Sequence, residues 1–114
     1  MARFMKGDVV VVPFPFSDLT DAKRRPALVI AELSGDDLIL CQITSQNVKD
    51  HYSVSLDEES FDAGGLSRRS NVRPNRIFTA AKRILLYKAG RLKSEKTALV
   101  IDRIIEILTS DSAS

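Results

Sequence analysis

The sequence predicts a small, twisted antiparallel β-barrel with a C-terminal α-helix packed outside it. Two observations support this mainly-β fold with a helix. Several short β-branched segments follow one another with turn signals between them, and the last apolar segment changes to helical spacing. At 114 residues, the chain has the length of one domain. We therefore expect residues 1–114 to form a single domain, with 109–114 as a frayed polar tail.

The first half of the chain contains three predicted strands. The β-branched run 8–12 is the first, and we expect it to end at Pro13, because proline has no backbone N–H to donate to a sheet. The other two strands are predicted over 27–33 and 38–44, after a polar loop over 19–24 and with a hairpin turn at 34–37 between them. They form the clearest hairpin in the chain.

The second half is predicted to contain shorter strands and then the helix. Residues 52–56 alternate like a half-exposed strand, and residues 58–66 are predicted to form an irregular excursion from the barrel. Short strands are predicted over 70–72 and 76–80, separated by Pro74 and Asn75. The segment 83–90 fits either a helical turn or the end of a strand. From 94 to 108 the apolar residues recur at helical spacing, with Ser94 as the N-cap.

The charges are unevenly distributed, although the net charge is only +2. No acidic residue lies between Asp62 and Glu95, a stretch with many lysines and arginines, whereas the preceding segment 50–62 is acidic. A basic half beside an acidic insert is typical of a site for a polyanion. The alternative is a solvated surface that keeps the protein soluble, and the charge pattern leaves both open.

Several classes of protein are disfavoured by composition. No apolar run approaches the roughly 18–20 residues that span a bilayer, and the N-terminus lacks an apolar signal core, so we expect a cytoplasmic protein without membrane association. Cys41 is the single cysteine and lies in an apolar run, so we expect it in the core. With one histidine, His51, and no Cys-x-x-Cys pair, we expect neither a metal nor another cofactor, and we leave His51 outside the site.

Two polar stretches at the ends of predicted strands are candidates for chemistry. Arg24-Arg25-Pro26 precedes the second strand, and Thr44-Ser45-Gln46-Asn47 ends the third. A guanidinium group is a planar fork of donors that fits phosphate oxygens, and Pro26 favours an extended Arg25. In the predicted hairpin, Arg25 and Thr44 lie at the same open end and can face one anion. Alternatively, Arg25 pairs with an acid of the preceding loop and Thr44 caps a turn.

Four segments of the chain, in order, resemble the MazF/PemK-like toxins of bacterial toxin–antitoxin systems. They are GDVVVVPFPFSDLTDAKRRPALVI, LILCQITSQ, GGLSRRSNVRPNRIFTA and KAGRLKSEKTALVIDRIIEIL, and they extend from about residue 6 to 108. Pro-Phe-Pro-Phe and Arg-Arg-Pro are typical of a compact PemK-like subgroup. The resemblance implies a homodimeric, SH3-like barrel of the MazF/Kid/CcdB kind. It also implies a metal-independent, sequence-selective endoribonuclease that cuts single-stranded RNA and is bound by a cognate antitoxin.

The resemblance also implies which residues act. Arg25 and Thr44 match the family's catalytic pair, and the reaction is attack of a ribose 2′-hydroxyl on the adjacent phosphorus, which leaves a cyclic phosphate and a 5′-hydroxyl. The residues expected to bind RNA are Phe16, Ser17, Asp18, Lys23, Arg24, Ser45, Gln46, Asn47 and Arg73. Phe14 is expected in the core, whereas Phe16 is open between core packing and stacking on a base.

One departure from the family keeps alternatives open. Many members carry an Arg-Thr-Ile-Asp-like run where this chain has Phe78-Thr79-Ala80-Ala81, so the acid is absent at Ala81 and another, such as Asp18, would replace it. One alternative is a catalytically degenerate member that binds RNA or antitoxin without cutting. Another is a CcdB-like toxin that binds gyrase, although such a protein does not need the pair of Arg25 and Thr44. The final helix has apolar residues on more than one face, which favours a dimer.

Overall fold

The structure is a computed structural model that describes residues 3–14, 23–48 and 50–111, with the side chain of Phe14 excepted. These residues form seven strands, two 3-10 turns and one α-helix. The elements are β1 (Asp8–Phe14), β2 (Lys23–Glu32), β3 (Asp37–Thr44), β4 (Val54–Leu56), the turn Glu58–Ser60, β5 (Phe61–Gly64), β6 (Ser70–Ala81), the turn Lys82–Ile84, β7 (Tyr87–Leu92) and α1 (Ser94–Thr109).

The strands form one sheet in the order β4-β6-β3-β2-β1-β7-β5. Every neighbouring pair is antiparallel. The sheet is strongly curled into a half-barrel, and α1 follows it at the C-terminus. This confirms the predicted fold class, a twisted antiparallel barrel with a C-terminal helix.

Alternating strand residues form two apolar clusters, one on each face of the curled sheet. On one face, strand residues such as Leu28 and Ile43 pack with Val100 and Ile104 of α1. On the other face, Val12, Val29, Leu40 and their neighbours form the second cluster, against which Phe4 packs. Because side chains alternate between faces along a strand, the two clusters follow directly from the sequence pattern. The helix therefore covers only one face.

Strands β1 and β2 are both longer than predicted. β1 continues through Pro13, which lies opposite Arg24 of β2. Pairing of β1 with β7 ends at Val11, so at Pro13 the strand has a partner on one side only, and a missing N–H is tolerated there. β2 begins at Lys23, so residues expected in a loop already belong to the sheet.

The two short strands predicted around Pro74 are one continuous strand, β6. Its pairing with β3 passes from Cys41–Ile77 to Ile43–Val72, so β3 advances two residues while β6 advances five. This bulge contains Pro74, whose missing donor therefore costs no regular ladder bond. The prediction of two separate strands was wrong because Pro74 lies in a bulge within one continuous strand.

The remaining segments refine or correct the predictions. Residues 58–66 contain a 3-10 turn and β5, and residues 83–90 contain parts of the second turn and of β7. The helix is confirmed, but its N-cap is Lys93 rather than Ser94, and no side chain caps it. The backbone fixes this boundary, because Lys93 donates its N–H to the Ser60 carbonyl at 2.9 Å and accepts from Thr97 N–H at 3.1 Å.

Candidate functional site

The register of the β2–β3 hairpin relates Arg25 to Thr44. Pairing ends at Ala27 opposite Gln42. The same register continued by two residues would bring Arg25 level with Thr44. Cross-strand neighbours share a face of the sheet. Beyond Ala27, β2 pairs with β1 only, and Thr44 pairs with Asn71 of β6. The sheet thus loses its ladder between β2 and β3 beside these two residues.

The three adjacent cations of β2 divide between the two faces of the sheet. Lys23, Arg24 and Arg25 are all exposed and lie opposite Phe14, Pro13 and Val12 of β1. Since successive side chains of a strand point to opposite faces, Lys23 and Arg25 share the face of Thr44, whereas Arg24 points to the other. The structure therefore groups Lys23 with Arg25 and separates Arg24 from them.

The turn after β3 orients the Thr44 hydroxyl. Gln46 N–H donates to Thr44 Oγ1 at 3.2 Å, and the Gln46 carbonyl accepts from Asn71 Nδ2 at 3.3 Å. Because the hydroxyl oxygen accepts this bond, its own hydrogen can still be donated to a phosphate oxygen. Ser45, Gln46 and Asn47 are exposed, so the polar run predicted from the sequence lies at the surface.

A surface depression beside Thr44 brings sequence-distant residues together. Its volume is about 330 Å³, and it is lined by Thr44, Gln46, Asn47, Val48, Asp50 and Arg73. Four of these are among the predicted site residues, including both Thr44 and Arg73. Val48 and Asp50 are the two additions, and the sequence analysis counted Asp50 only as part of an acidic segment. A polar depression open to solvent can admit part of a charged ligand.

Asp50 is held by three hydrogen bonds. Its Oδ2 accepts from Arg73 Nη2 at 3.1 Å, in an ion pair whose side chains are 21% and 23% exposed for Arg73 and Asp50. Its Oδ1 accepts from the backbone N–H groups of Tyr52 at 3.0 Å and Ser53 at 3.1 Å. Burial alone raises the pKa of Asp50, but the bonds from Arg73 and the two amides outweigh it and lower that pKa.

The bulge in β6 sets the position of Arg73. The Arg73 carbonyl accepts from Cys41 Sγ at 2.8 Å, at the point where the regular β3–β6 pairing is interrupted. Bulges redirect side chains next to functional sites. The Arg73 Nε is buried and has no hydrogen-bond partner. Cys41 itself is buried, as predicted, and burial raises the pKa of its thiol to about 12.

Other predicted features lie away from this depression or outside the described residues. Phe16, Ser17 and Asp18 lie outside the described residues. Ala81 lies opposite Asp37, at the far end of β3 from Thr44, roughly 23 Å along the strand. The missing family acid therefore does not alter the surroundings of Thr44 within this chain. His51 is exposed and its ring lies against that of Tyr52 at a tilt of 41°, with ring centroids 4.2 Å apart.

The described part of the chain lacks two features. No helix there is both long and apolar enough to cross a bilayer. Within residues 3–14, 23–48 and 50–111, no three histidine, cysteine or carboxylate side chains cluster as metal ligands would.

Comparison with known proteins identifies the family. A family model described as PemK-like, MazF-like toxin of type II toxin–antitoxin systems matches residues 5–108. A search of curated proteins gave no match.

Solved structures of such toxins share the fold. A mycobacterial endoribonuclease in complex with its cognate antitoxin is 14% identical over 95% of each chain, with a TM-score of 0.72. A MazF toxin of Mycobacterium tuberculosis is 17% identical over 92% of this chain and 99% of that one, with a TM-score of 0.71. MazF from a MazE–MazF structure of Deinococcus radiodurans is 20% identical over 92% and 94%, with a TM-score of 0.69. With nearly the whole chain matched by the family model, this protein belongs to the PemK-like, MazF-like toxins of type II toxin–antitoxin systems.

Proposed function

We propose that this toxin is a sequence-selective endoribonuclease that cuts single-stranded RNA without a metal ion. The observation that carries the proposal is the hairpin register, whose last pair is Ala27 with Gln42; continued by two residues, it would bring Arg25 level with Thr44 on one face of the sheet. Two of the solved structures that share the fold are named endoribonucleases, which supports the same activity here.

The reaction needs little from the protein beyond geometry and charge. A ribose 2′-hydroxyl attacks the adjacent phosphorus, the bond to the 5′-oxygen of the next nucleotide breaks, and a cyclic phosphate and a 5′-hydroxyl result. Arg25 stabilises the negative charge that develops on the phosphate oxygens, an effect worth about 3 kcal/mol for one well-placed donor. Arginine stays protonated throughout the physiological pH range, so we assign it electrostatic stabilisation rather than proton abstraction.

Thr44 has a complementary role in this mechanism. Its hydroxyl oxygen accepts a hydrogen bond from Gln46 N–H. The hydroxyl hydrogen can therefore be donated to the same phosphate or to the attacking 2′-hydroxyl. DNA lacks the 2′-hydroxyl and should bind without being cut. We assign RNA binding to the polar and basic residues on the side of Thr44, which are Lys23, Ser45, Gln46, Asn47 and Arg73, and to Phe16, Ser17 and Asp18 of the segment before β2. Arg24, on the other face of the sheet, is not included in this assignment.

We also propose two protein partners. A cognate antitoxin is expected from the family, and an acidic segment would complement the exposed cations of β2. The second partner is another copy of this chain. Ile105 and Leu108 of α1 are 52% and 73% exposed. Leu108 continues the row of Val100 and Ile104 towards the end of the helix, and Ile105 lies beside that row. An apolar stripe left uncovered by its own domain supports a dimer through the helix.

The decisive test uses purified protein and a long single-stranded RNA in excess chelator. We expect cuts at a short shared sequence, with 5′-hydroxyl ends, and no cuts in DNA of the same sequence. The Arg25→Ala variant should leave the RNA intact although it folds normally. Intact RNA with the folded wild-type protein would reject the nuclease and favour a toxin that binds without cutting.

A further inference from the structure

We propose that Asp50 is a positioning residue that holds Arg73 so that Arg73 binds a phosphate of the RNA beside Thr44. The inference deepens the proposed function, because it takes single-stranded RNA as the ligand. It does not require that the RNA be cut. Three observations support it. The Asp50 carboxylate accepts three hydrogen bonds, the Arg73 guanidinium is only partly paired, and both residues line the same depression as Thr44.

The Asp50 carboxylate is held by groups of the protein itself. Oδ1 accepts two backbone N–H groups, and Oδ2 accepts from Arg73. The amide bonds anchor the carboxylate to its own loop, two and three residues further along the chain. It therefore presents one oxygen to Arg73 while the other is bonded to the backbone of its own loop, which is what a residue that orients another side chain requires.

The Arg73 guanidinium is only partly paired. It has five N–H donors in a planar fork, and its ion pair with Asp50 joins Nη2 to Oδ2. Nε is buried and has no hydrogen-bond partner. Because Nε is closed to solvent, a ligand would bind other N–H groups, in the 21% of the Arg73 side chain that is exposed. Arginine is suited to phosphate because a second edge of the fork can bind it while the first stays paired.

The location connects this pair to the proposed reaction. Asp50 and Arg73 line the same depression as Thr44. Thr44 pairs with Asn71 of β6, and Arg73 lies two residues after Asn71, where the bulge begins. Arg73 would thus meet a phosphate at or next to the one held by Thr44. The hydrogen bonds that lower the pKa of Asp50 keep it ionised near neutral pH, so it can hold a cation there but is a weak proton acceptor.

The competing explanation is that the ion pair only fastens the β3–β4 loop to β6. Salt dependence of RNA binding separates the two roles, because each phosphate contact of a single strand contributes about 0.7 to the slope of log K against log salt. The probe is a short fluorescent RNA of mixed sequence, 2′-O-methylated throughout so that it cannot be cut. The variants are Asp50→Asn, Arg73→Gln and the double variant. Asp102→Asn is the matched control, because it removes the same charge from an exposed position on α1.

We expect Arg73→Gln to lower the slope by about 0.7. Asp50→Asn should lower it similarly, although the protein becomes more positive, and the double variant should show no further loss. Melting curves of each variant confirm folding. A slope in Asp50→Asn equal to that of Asp102→Asn overturns the proposal, as does an additive loss in the double variant. If Asp50→Asn does not fold, Asp50→Glu keeps the charge but displaces the carboxylate, so it should show the same loss; a wild-type slope there contradicts us.

The outcome for the proposed nuclease is read separately. Wild-type protein that binds the probe with the expected slopes but leaves unmodified RNA intact rejects cleavage and supports the role of Asp50. Wild-type protein that cuts RNA while Asp50→Asn keeps its slope supports cleavage and rejects that role. Wild-type protein that does not bind the probe rejects the role of Asp50, and cleavage of unmodified RNA then decides the nuclease by itself.

Discussion

The fully buried carboxylate of Asp8 accepts a hydrogen bond from Arg91 Nη1 at 2.8 Å, across the β1–β7 pair. Lys88 Nζ lies 3.2 Å from the other oxygen, which also accepts from Met5 N–H at 2.7 Å. One acid of β1 thus joins β7 and the N-terminal segment, and these contacts among the described residues lie outside the candidate site.

Replacing Asp8 should therefore destabilise the fold without changing the chemistry. Loss of one member of a buried ion pair costs about 3–5 kcal/mol. Arg91 and Lys88 are about two-fifths exposed and can regain water, so we expect roughly 2–3 kcal/mol for Asp8→Asn. Urea denaturation measures this, with Asp102→Asn as the surface control. A loss no larger than that of the control would mean that the buried pair contributes nothing net.

The adjacent arginines of β2 provide an internal comparison for the site. Arg25 shares the face of Thr44 and Arg24 does not, so Arg25→Ala should slow RNA cleavage by about 10²–10³-fold or more. Arg24→Ala removes the same charge one residue away and should slow it by less than about tenfold. Single-turnover rates on one RNA decide. Equal losses in the two variants would show that the cations act through overall charge and would reject the site assignment.

The Asp50–Arg73 pair should make stability depend on pH in the acid range. The pKa of Asp50 is lowered in the folded chain, and an unfolded aspartate titrates near ~3.9. The stabilisation is therefore complete above the unfolded value and is lost as the pH falls through the folded one. The unfolding free energies of wild type and Asp50→Asn should differ by a constant amount from neutrality to about pH 5 and converge below about pH 4. Convergence at neutral pH in a urea series would assign the effect to another group.

Gly90 allows the close approach of β5 to β7. A Cβ at Gly90 would lie 2.7 Å from the Ala63 carbonyl oxygen and 2.8 Å from Gly65 N, which are both backbone atoms that cannot rotate away. Gly90→Ala should cost about 1–3 kcal/mol, the usual penalty for overpacking. Gly65→Ala is the matched control, because a Cβ there meets nothing within 4 Å. Thermal or urea unfolding should separate the two, and equal stabilities would contradict the predicted clash.

The exposed stripe of α1 tests the proposed dimer. Leu108→Lys with Ile105→Lys should convert a particle of twice 12.6 kDa into a monomer in sedimentation experiments. Glu106→Lys changes the charge of the helix on another side and should leave the dimer intact. A wild-type chain that sediments as a monomer at high concentration would reject the dimer, and a dimer that survives both lysines would place its interface elsewhere.

The sequence predicted the parts of the fold that depend on local pattern. The β2–β3 hairpin has turn residues between two apolar runs, and α1 has apolar residues at helical spacing, so both were found. Pro13 and Pro74 misled the prediction because proline was taken to end a strand. In the sheet, Pro13 has a strand partner on one side only, and Pro74 lies in a bulge. Neither situation can be recognised without knowing the neighbouring strands.

The candidate site was only partly predictable for a similar reason. Thr44 and the polar run after it stand out because they follow a buried strand. Asp50 did not, because its role depends on an ion pair with Arg73, 23 residues away, and on the bulge that brings Arg73 there. A local signal existed, since an aspartate often accepts backbone N–H groups two or three residues later. The pairing with Arg73 joins residues that are far apart in the sequence, so no local sequence pattern predicts it.

The burial of Cys41 has a practical consequence for studying this toxin. Its thiol is inaccessible, and a pKa raised to about 12 leaves almost no thiolate at neutral pH, so alkylating reagents should not modify it in the folded protein. The wild-type chain is therefore a ready background for site-specific labelling. A cysteine introduced at the exposed Ser45 would be the one reactive thiol, and a fluorophore attached there would report the arrival of RNA or antitoxin directly.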